Sequence, residues 1–330
     1  MQAWLCEHPE GIDALRWTTL PDRLPQEGEV LVDIAAASLN YPDLLIVHGQ
    51  YQHKPTPPFV PGAEFAGVVR AVGEGVSTLQ PGQPVACLSG TGGFATQAVV
   101  RAEQCIPLPE GFALEDAAAF VMTYATAHHA LLDRGALRAA ETVLVLGAAG
   151  GVGTAAIQIA KAAGARVIAA ARSAERCALA QRLGADATLD YEVHTPEGTL
   201  REELRRLTDG RGPDVVFDPI GGAWAEPVFR SIAWRGRYLV IGFAGGPIPR
   251  LPLNLPLLKG ASIVGVFWGE FARREPQANA AMLRTLAQGY LQGQYRPVID
   301  TVLPMTELPQ ALRRLQQRQV QGKLVLRHPG

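Results

Sequence analysis

The 330-residue sequence is poor in lysine, in paired cysteine, in net charge and in long apolar runs. Each shortage excludes something. The formal net charge is -1, so the basic excess of a phosphate-backbone binder is missing and nucleic acid is not an expected partner. Lysine occurs only as Lys54, Lys161, Lys259 and Lys323, and arginine supplies the rest of the positive charge. The longest apolar runs are broken by glycine or alternate like strands, so no membrane span is predicted. The N-terminal MQAWLCEHPEG has no basic region followed by an apolar core, and no signal peptide is expected. Cys6, Cys87, Cys105 and Cys177 are scattered without a CxxC pair. They read as buried or semi-buried thiols in a reducing compartment, the cytoplasm, rather than as a disulfide framework. Compact His, Cys and Asp spacings of a zinc site are also missing.

What is present is a globular chain, 48% apolar and 18% charged, long enough for two domains with cores of their own. Residues 1–120 carry short β-prone runs, GEVLVDIAAASLN, EFAGVVRAVG, PVACLS and GFATQAVV, separated by GEG, LQPGQP and GTGG. That pattern predicts an irregular β domain. From about residue 115 the rhythm changes. LEDAAAFVMTYATAHHALLDRGAL reads as two helical pieces, and strands then alternate with helices: TVLVLG, GVGTAAIQIAKAAG, ARVIAAAR, SAERCALAQRLG, ATLDY, EGTLREELRRLTDG, DVVFDPIG, AWAEPVFRSIAW and GRYLVIGF. Near-continuous apolar strands between amphipathic helices predict a doubly wound parallel sheet. GASIVGVFW is a further expected strand, NAAMLRTLAQGYLQG and TELPQALRRLQQRQ are expected helices, and GKLVLRHP is an expected last strand.

The chemistry-bearing stretch is TVLVLGAAGGVGTAAIQIAKAAGARVIAAARS, residues 142–173. Its glycine turn follows a strand and opens a helix, the setting in which such a turn binds a dinucleotide. The first position of a strict GxGxxG is Ala148; Gly150 and Gly153 hold the other two. Gly150 lets backbone approach a pyrophosphate, Gly153 lets helix and sheet close together, and the helix start, with Ala149, Gly151 and Val152, offers N–H groups to anions. An acid at the tip of the second strand would hold the ribose 2′-hydroxyl of NAD. The tip here reads Ala170, Ala171, Arg172, Ser173. Arg172 offers a planar fork to a phosphate, Ser173 a hydroxyl, and Arg176 lies one helical turn on. These residues favour NADPH.

The ordered set SLNYPDLLIVHGQY, PPFVPGAEFAGVV, GGFATQAVV, YATAHHAL, GAAGGVGTAAIQIAK, GADATLDY, DVVFDPIGG, GRYLVIGFAGG and QGKLVL spans nearly the whole chain. It resembles the zinc-free quinone oxidoreductase branch of the medium-chain dehydrogenase/reductase superfamily. The resemblance implies a two-domain fold: a chaperonin-10-like irregular β domain for catalysis and substrate over 1–120, completed by about 270–330, and an NADPH-binding α/β Rossmann domain over 121–269. It places Asn40 near the nicotinamide ribose, Thr126 at the nicotinamide end, Arg176 at the 2′-phosphate with Tyr191 packed nearby, Gly242 and Phe243 along the nicotinamide, and Arg318 toward the adenosine phosphate. It also implies a homodimer.

Zinc-dependent relatives place a histidine where this chain has Ala63, beside a retained Glu64, and carry a lobe of closely spaced cysteines that is missing here. Neither catalytic nor structural zinc is therefore expected, and alcohol oxidation loses its Lewis acid. A quinone accepts a hydride without a metal. The expected reaction is NADPH-dependent quinone reduction; reduction of an α,β-unsaturated ketone or aldehyde, one-electron transfer, and a redox-responsive NADPH-binding interaction module with little turnover stay open. Tyr41, Tyr51, Phe267 and Trp268 are candidate substrate contacts, with Asp43 as either a contact or a local cap. No side chain is named as catalytic acid. His128 and His129, adjacent on a helix, are expected to pack rather than act as a pair.

Overall fold

A computed structural model of the chain describes residues 1–328 apart from His53 and Glu197. The predicted helix over 197–210 therefore begins outside the described residues, as Pro329 of the last predicted strand lies beyond them. The chain divides into two units, Met1–Met122 with Pro297–Gly330, and Thr123–Arg296.

The first unit is built on a seven-stranded sheet. Its order is Ile299–Pro304, Lys323–Arg327, Glu29–Ser38, Glu64–Val72, Pro84–Leu88 and Cys105–Pro107, with Gln97–Arg101 also paired to Glu29–Ser38. Glu29–Ser38 is buried along most of its length because three partners flank it. Register sets chemistry here. Ser38 stands opposite Glu64 on one side and opposite Val325 on the other. Continuing the second pairing by two residues brings Lys323 level with Asn40, and Leu39 N donates to Leu324 O in the intervening row (3.0 Å). A short helix, Tyr41–Val47, starts at Asn40 with Pro42 in its first turn, where a missing N–H costs nothing. Val30, Val32, Phe65, Val85, Phe94, Leu312 and Leu326 lie in the core of this unit.

The second unit holds six parallel strands in the order Ala187–Asp190, Arg166–Ala171, Thr142–Leu146, Val215–Asp218, Arg237–Val240, Ser262–Gly265. Thr142–Leu146 is buried at every residue, as a central strand covered on both faces must be. Numbered within the unit, the order is 3-2-1-4-5-6, so the chain reverses direction across the sheet between Thr142–Leu146 and Val215–Asp218. Ligands of open α/β sheets bind at the carboxyl ends of strands at such a switch point.

Three expectations need correction. The chain leaves the second unit at Pro297, not near residue 270. The helix Pro276–Leu291 buries Met282, Leu286 and Tyr290, the Tyr295 ring lies 5.8 Å from that of Tyr124, and Gln158 bonds both Arg296 N (2.8 Å) and Arg296 O (3.0 Å). These contacts hold the 276–296 segment to the second unit. The expected pair of helices over residues 114–137 is one α-helix, Leu114–His128, widening directly into a π-helical turn, His129–Arg134. The strand expected over 260–268 ends at Gly265, because its partner Arg237–Val240 runs out opposite that residue. Phe267 caps a helix, Trp268–Arg274, that the sequence reading left out.

Candidate active site

The glycine turn sits at the switch point. Gly150 is the N-cap of the helix Gly151–Ala162 with ordinary extended dihedrals, φ -84 and ψ 167. A Cβ at Gly153 would lie 2.3 Å from Gly147 O and 2.8 Å from Ala148 Cα, so only glycine lets this helix approach the turn. A Cβ at Gly150 would meet only Gly147 O, at 3.4 Å, so that position keeps open space rather than relieving a clash. Gly153 thus does the packing job expected of it. Thr154 Oγ1 donates to Gly151 O (2.9 Å) inside the first turn. The N–H groups of Gly151 and Val152 begin the helix and have no intrahelical acceptor.

Tyr191 braces this turn. Gly147 N donates to its hydroxyl (3.2 Å), and its ring packs on Trp224 at 4.1 Å between centroids. Burial pushes the phenol far above its usual range, so it stays neutral. The carboxyl end of the neighbouring strand Arg166–Ala171 carries exposed Arg172. Ser173 follows with φ +76, a left-handed conformation unusual for a side-chain-bearing residue, and caps the helix Ala174–Arg182 that carries half-buried Arg176. One acid that sequence reading did not foresee is close by. Asp190, ending the adjacent strand, accepts from Ser173 N (3.1 Å) and Glu192 N (2.8 Å) through one oxygen. It holds the bend that presents Arg172.

Across the switch point, Asp218 Oδ1 accepts from Ile220 N (2.7 Å) and Gly221 N (2.8 Å), and the Tyr238 hydroxyl donates to Oδ2. Burial raises the Asp218 carboxyl and the Tyr238 phenol above their usual ranges. This tie fixes the bend after Val215–Asp218, and Ile241 N bonds Asp218 O (2.9 Å) in the next strand's exit. Gly242 and Phe243 follow there. The second unit therefore gathers Ala149, Gly150, Gly151, Val152, Arg172, Ser173, Tyr191, Gly242 and Phe243 along the carboxyl edge of one sheet. Thr126 stands apart from that edge in chain position, half-buried near the end of Leu114–His128.

The first unit holds a buried polar network around Asn40. Glu64 is fully buried and Lys323 is 4% exposed. Glu64 Oε2 accepts from Ser38 Oγ (3.0 Å), Asn40 Nδ2 (3.0 Å) and Lys323 Nζ (3.2 Å), while Oε1 accepts from Met122 N (2.8 Å). Lys323 Nζ also donates to Asn40 Oδ1. Both ends of the Asn40 amide are thus fixed by charged partners, and its orientation is set. Asp43 accepts from Asn40 N (2.8 Å) and Ala63 N (3.0 Å), so it is the local cap. Its complete burial lifts its pKa to about 6 against the pull of these two bonds and of Lys323. Lys323 carries a role that the sequence reading missed. Its signal was a lone lysine in the otherwise apolar strand KLVL.

Of the candidate substrate contacts, Tyr41 is 37% exposed and Tyr51 packs half-buried on the first unit's core, where burial and then the Asp43 charge raise its phenol. Phe267 is 66% exposed. Trp268 Nε1 donates to Asn279 Oδ1 (3.0 Å), which ties its indole to the following helix. Arg318 lies in the first unit, exposed at the end of the helix Leu308–Gln316, with φ +57. His129 is paired with Asp133 (2.8 Å) and stacked on Phe271 at 4.3 Å, and burial lowers both neighbouring histidines below their usual range. They pack, as expected.

Residues 26–110 match the family model of the alcohol dehydrogenase GroES-like domain, and residues 151–287 that of zinc-binding dehydrogenases. The chain is 37% identical to quinone oxidoreductase-like protein 2 of Rattus norvegicus over 299 residues, 90% of this chain and 84% of the rat protein. Among solved structures it is similar to the Thermus thermophilus quinone oxidoreductase, determined alone and with NADPH (35% identity, TM-score 0.84, 99% of this chain and 100% of that one). It is also similar to the Escherichia coli quinone oxidoreductase complexed with NADPH (25% identity, TM-score 0.92, 99% and 100% covered). The chain belongs to the medium-chain dehydrogenase/reductase superfamily, in its quinone oxidoreductase branch. It is an oxidoreductase of that type, with a GroES-like domain and a Rossmann domain.

The zinc in the second family's name does not fit the residues present. Among the described residues no three His, Cys, Asp or Glu side chains cluster as metal ligands. Glu64, the acid retained from the zinc-dependent pattern, is consumed by Ser38, Asn40, Lys323 and Met122 N, and the neighbouring Ala63 has no donor atom in its side chain. No helix among the described residues is long and apolar enough to cross a membrane.

Proposed function

We propose that this chain reduces quinones to hydroquinones with NADPH, without a metal. One observation carries the choice of cofactor: the strand beside the glycine turn is followed by exposed Arg172 and by Ser173, while Asp190 of the next strand turns one oxygen to the backbone N–H groups of Ser173 and Glu192. A free carboxylate there would repel a 2′-phosphate; a guanidinium receives it. The NADPH in the solved Thermus thermophilus and Escherichia coli quinone oxidoreductases supports the same reading.

The open space at Gly150 and the free N–H groups of Gly151 and Val152 suit a pyrophosphate. Arg172, Ser173 and Arg176 receive the ribose phosphate, with Tyr191 holding the turn and Arg318 as a further phosphate contact. Asn40 offers one fixed amide hydrogen to the nicotinamide ribose, with Thr126, Gly242 and Phe243 toward the nicotinamide. Tyr41, Tyr51, Phe267 and Trp268 offer aromatic surface to a flat acceptor. The dinucleotide, when bound, supplies a hydride; the quinone takes it with one solvent proton, which balances the hydroquinone. The chain's part is to position the reactants and to exclude water.

The homodimer is supported by the outer strand Ser262–Gly265, which among the described residues has a partner on one side only, and by exposed Ile263, Leu257, Leu258 and Trp234 on the same unit. Light scattering should give a dimer, and Ile263→Lys should shift it toward monomer. The cofactor proposal is tested by fluorescence titration of the purified protein with NADPH and NADH. Tighter NADPH binding is expected; equal affinities would defeat it.

A further inference from the structure

Two of the four cysteines stand together although nothing in their spacing says so. Cys87 lies in Pro84–Leu88 and Cys105 in the outer strand Cys105–Pro107, and the two are direct cross-strand partners. Leu108 N donates to Pro84 O (3.0 Å), which makes that row a hydrogen-bonded one. Alternation along an antiparallel pair then makes Cys87 and Cys105, three rows on, a non-hydrogen-bonded pair. Side chains approach most closely in such rows, where Cα atoms are about 4.5 Å apart, inside the range of about 4.4–6.8 Å that a disulfide spans. The sulfurs are 3.6 Å apart on the buried face, and both residues belong to the first unit's core.

We propose that Cys87 and Cys105 form a dithiol site that peroxide oxidises reversibly to a disulfide. The roles differ. Cys87 is fully buried, while Cys105 is 7% exposed on a three-residue strand at the end of the sheet, the part of a sheet that opens most readily. The two thiols share one hydrogen bond in which either sulfur can donate; with Cys87 as donor, that bond holds Cys105 below the usual thiol range and, with burial, pushes Cys87 well above it. Cys105, the less buried of the two and on the outer strand, is the sulfur that peroxide reaches first, and so the attacking one. Its thiolate takes one oxygen from hydrogen peroxide, breaking the O–O bond and releasing hydroxide, and becomes a sulfenic acid. The Cys87 sulfur then attacks that sulfur and displaces water. In sum, two thiols and one peroxide give one disulfide and two waters, two electrons passing from the sulfurs to the peroxide. Cys6 and Cys177 have no such partner thiol, which makes them internal controls. A disulfide formed and reversed in this way is compatible with a reducing compartment, where lasting bridges are rare. The site is independent of the dinucleotide reading.

The test uses the full-length folded protein, treated with hydrogen peroxide, quenched in acid, digested without reductant and mapped by mass spectrometry. The expected product is one linked peptide pair joining Cys87 to Cys105, two hydrogens lighter, with alkylatable thiols falling from four to two and restored by dithiothreitol. Because this is read on the unaltered chain, it does not depend on a variant folding. In Cys87→Ala, dimedone should trap a sulfenic acid on Cys105 that the unaltered chain does not retain. Four thiols remaining after treatment, a link through Cys6 or Cys177, or unlinked sulfinate on Cys105 of the unaltered chain would overturn the proposal.

Discussion

The ammonium of Lys323 is hydrogen bonded to the side-chain oxygen of Asn40, 283 residues earlier in the chain, and both are held by the buried carboxylate of Glu64. A buried charge that loses its partner costs about 3–5 kcal/mol, whereas removing both charges together costs far less. Lys323→Met should therefore destabilise the first unit by roughly that amount, and Lys323→Met with Glu64→Gln should recover most of it in denaturant unfolding. In the double variant the Asn40 amide is no longer fixed, so kcat/KM should stay reduced about tenfold or more while the fold recovers. Activity recovering in step with stability would mean that the network serves folding alone.

Arg172 separates the two dinucleotides. Replacing it with alanine removes a charge-assisted contact to the 2′-phosphate but leaves the glycine turn intact. The NADPH affinity should fall by about tenfold or more, near 1.4 kcal/mol, with NADH affinity nearly unchanged. Paired titrations check this.

Gly150 and Gly153 should fail in different ways. Gly153→Ala places a Cβ where Gly147 O already lies at 2.3 Å, so it should cost about 1–3 kcal/mol of stability and weaken dinucleotide binding as well. Gly150→Ala meets nothing closer than 3.4 Å and should stay within about 1 kcal/mol of the parent, yet bind both dinucleotides more weakly. Thermal unfolding run beside the titration separates the two outcomes.

That contrast shows how much the sequence disclosed. Strand, glycine turn and helix over residues 142–162 are local features, and local pattern was enough to place them and Arg172. The Asn40 network was not legible in this way. Ser38, Glu64 and Lys323 come from three different strands and Asn40 from the turn just after the first, and strand register brings them together. Cys87 and Cys105 were hidden for the same reason, since pairing across strands leaves no spacing motif. Asp190 was missed because it belongs to a neighbouring strand rather than to the one that ends in Arg172. The strand expected over 260–268 includes Phe267 and Trp268 because the apolar run GASIVGVFW fits one, and the end of the partner strand at Val240 stops it at Gly265.

Asp43 gives a pH dependence with a defined sign. Burial raises its folded pKa to about 6 from the ordinary 3.8, so between these values the folded chain binds more protons than the unfolded one. Its contribution is present below about pH 4 and lost as pH rises to about 6, on the order of 3 kcal/mol, with no further change above. Asp43→Asn should lack this component. Stability measured against pH for both proteins, and taken as a difference, isolates it from the other carboxylates.

The central claim is tested most directly by steady-state turnover of the metal-analysed protein with NADPH and a panel of benzoquinone, naphthoquinones and simple enones, following dinucleotide loss and hydroquinone formation together. The account predicts stoichiometric hydroquinone from NADPH, slower turnover with NADH, and no dependence on zinc. Binding of NADPH without oxidation by any quinone, or turnover confined to the enones, would contradict it.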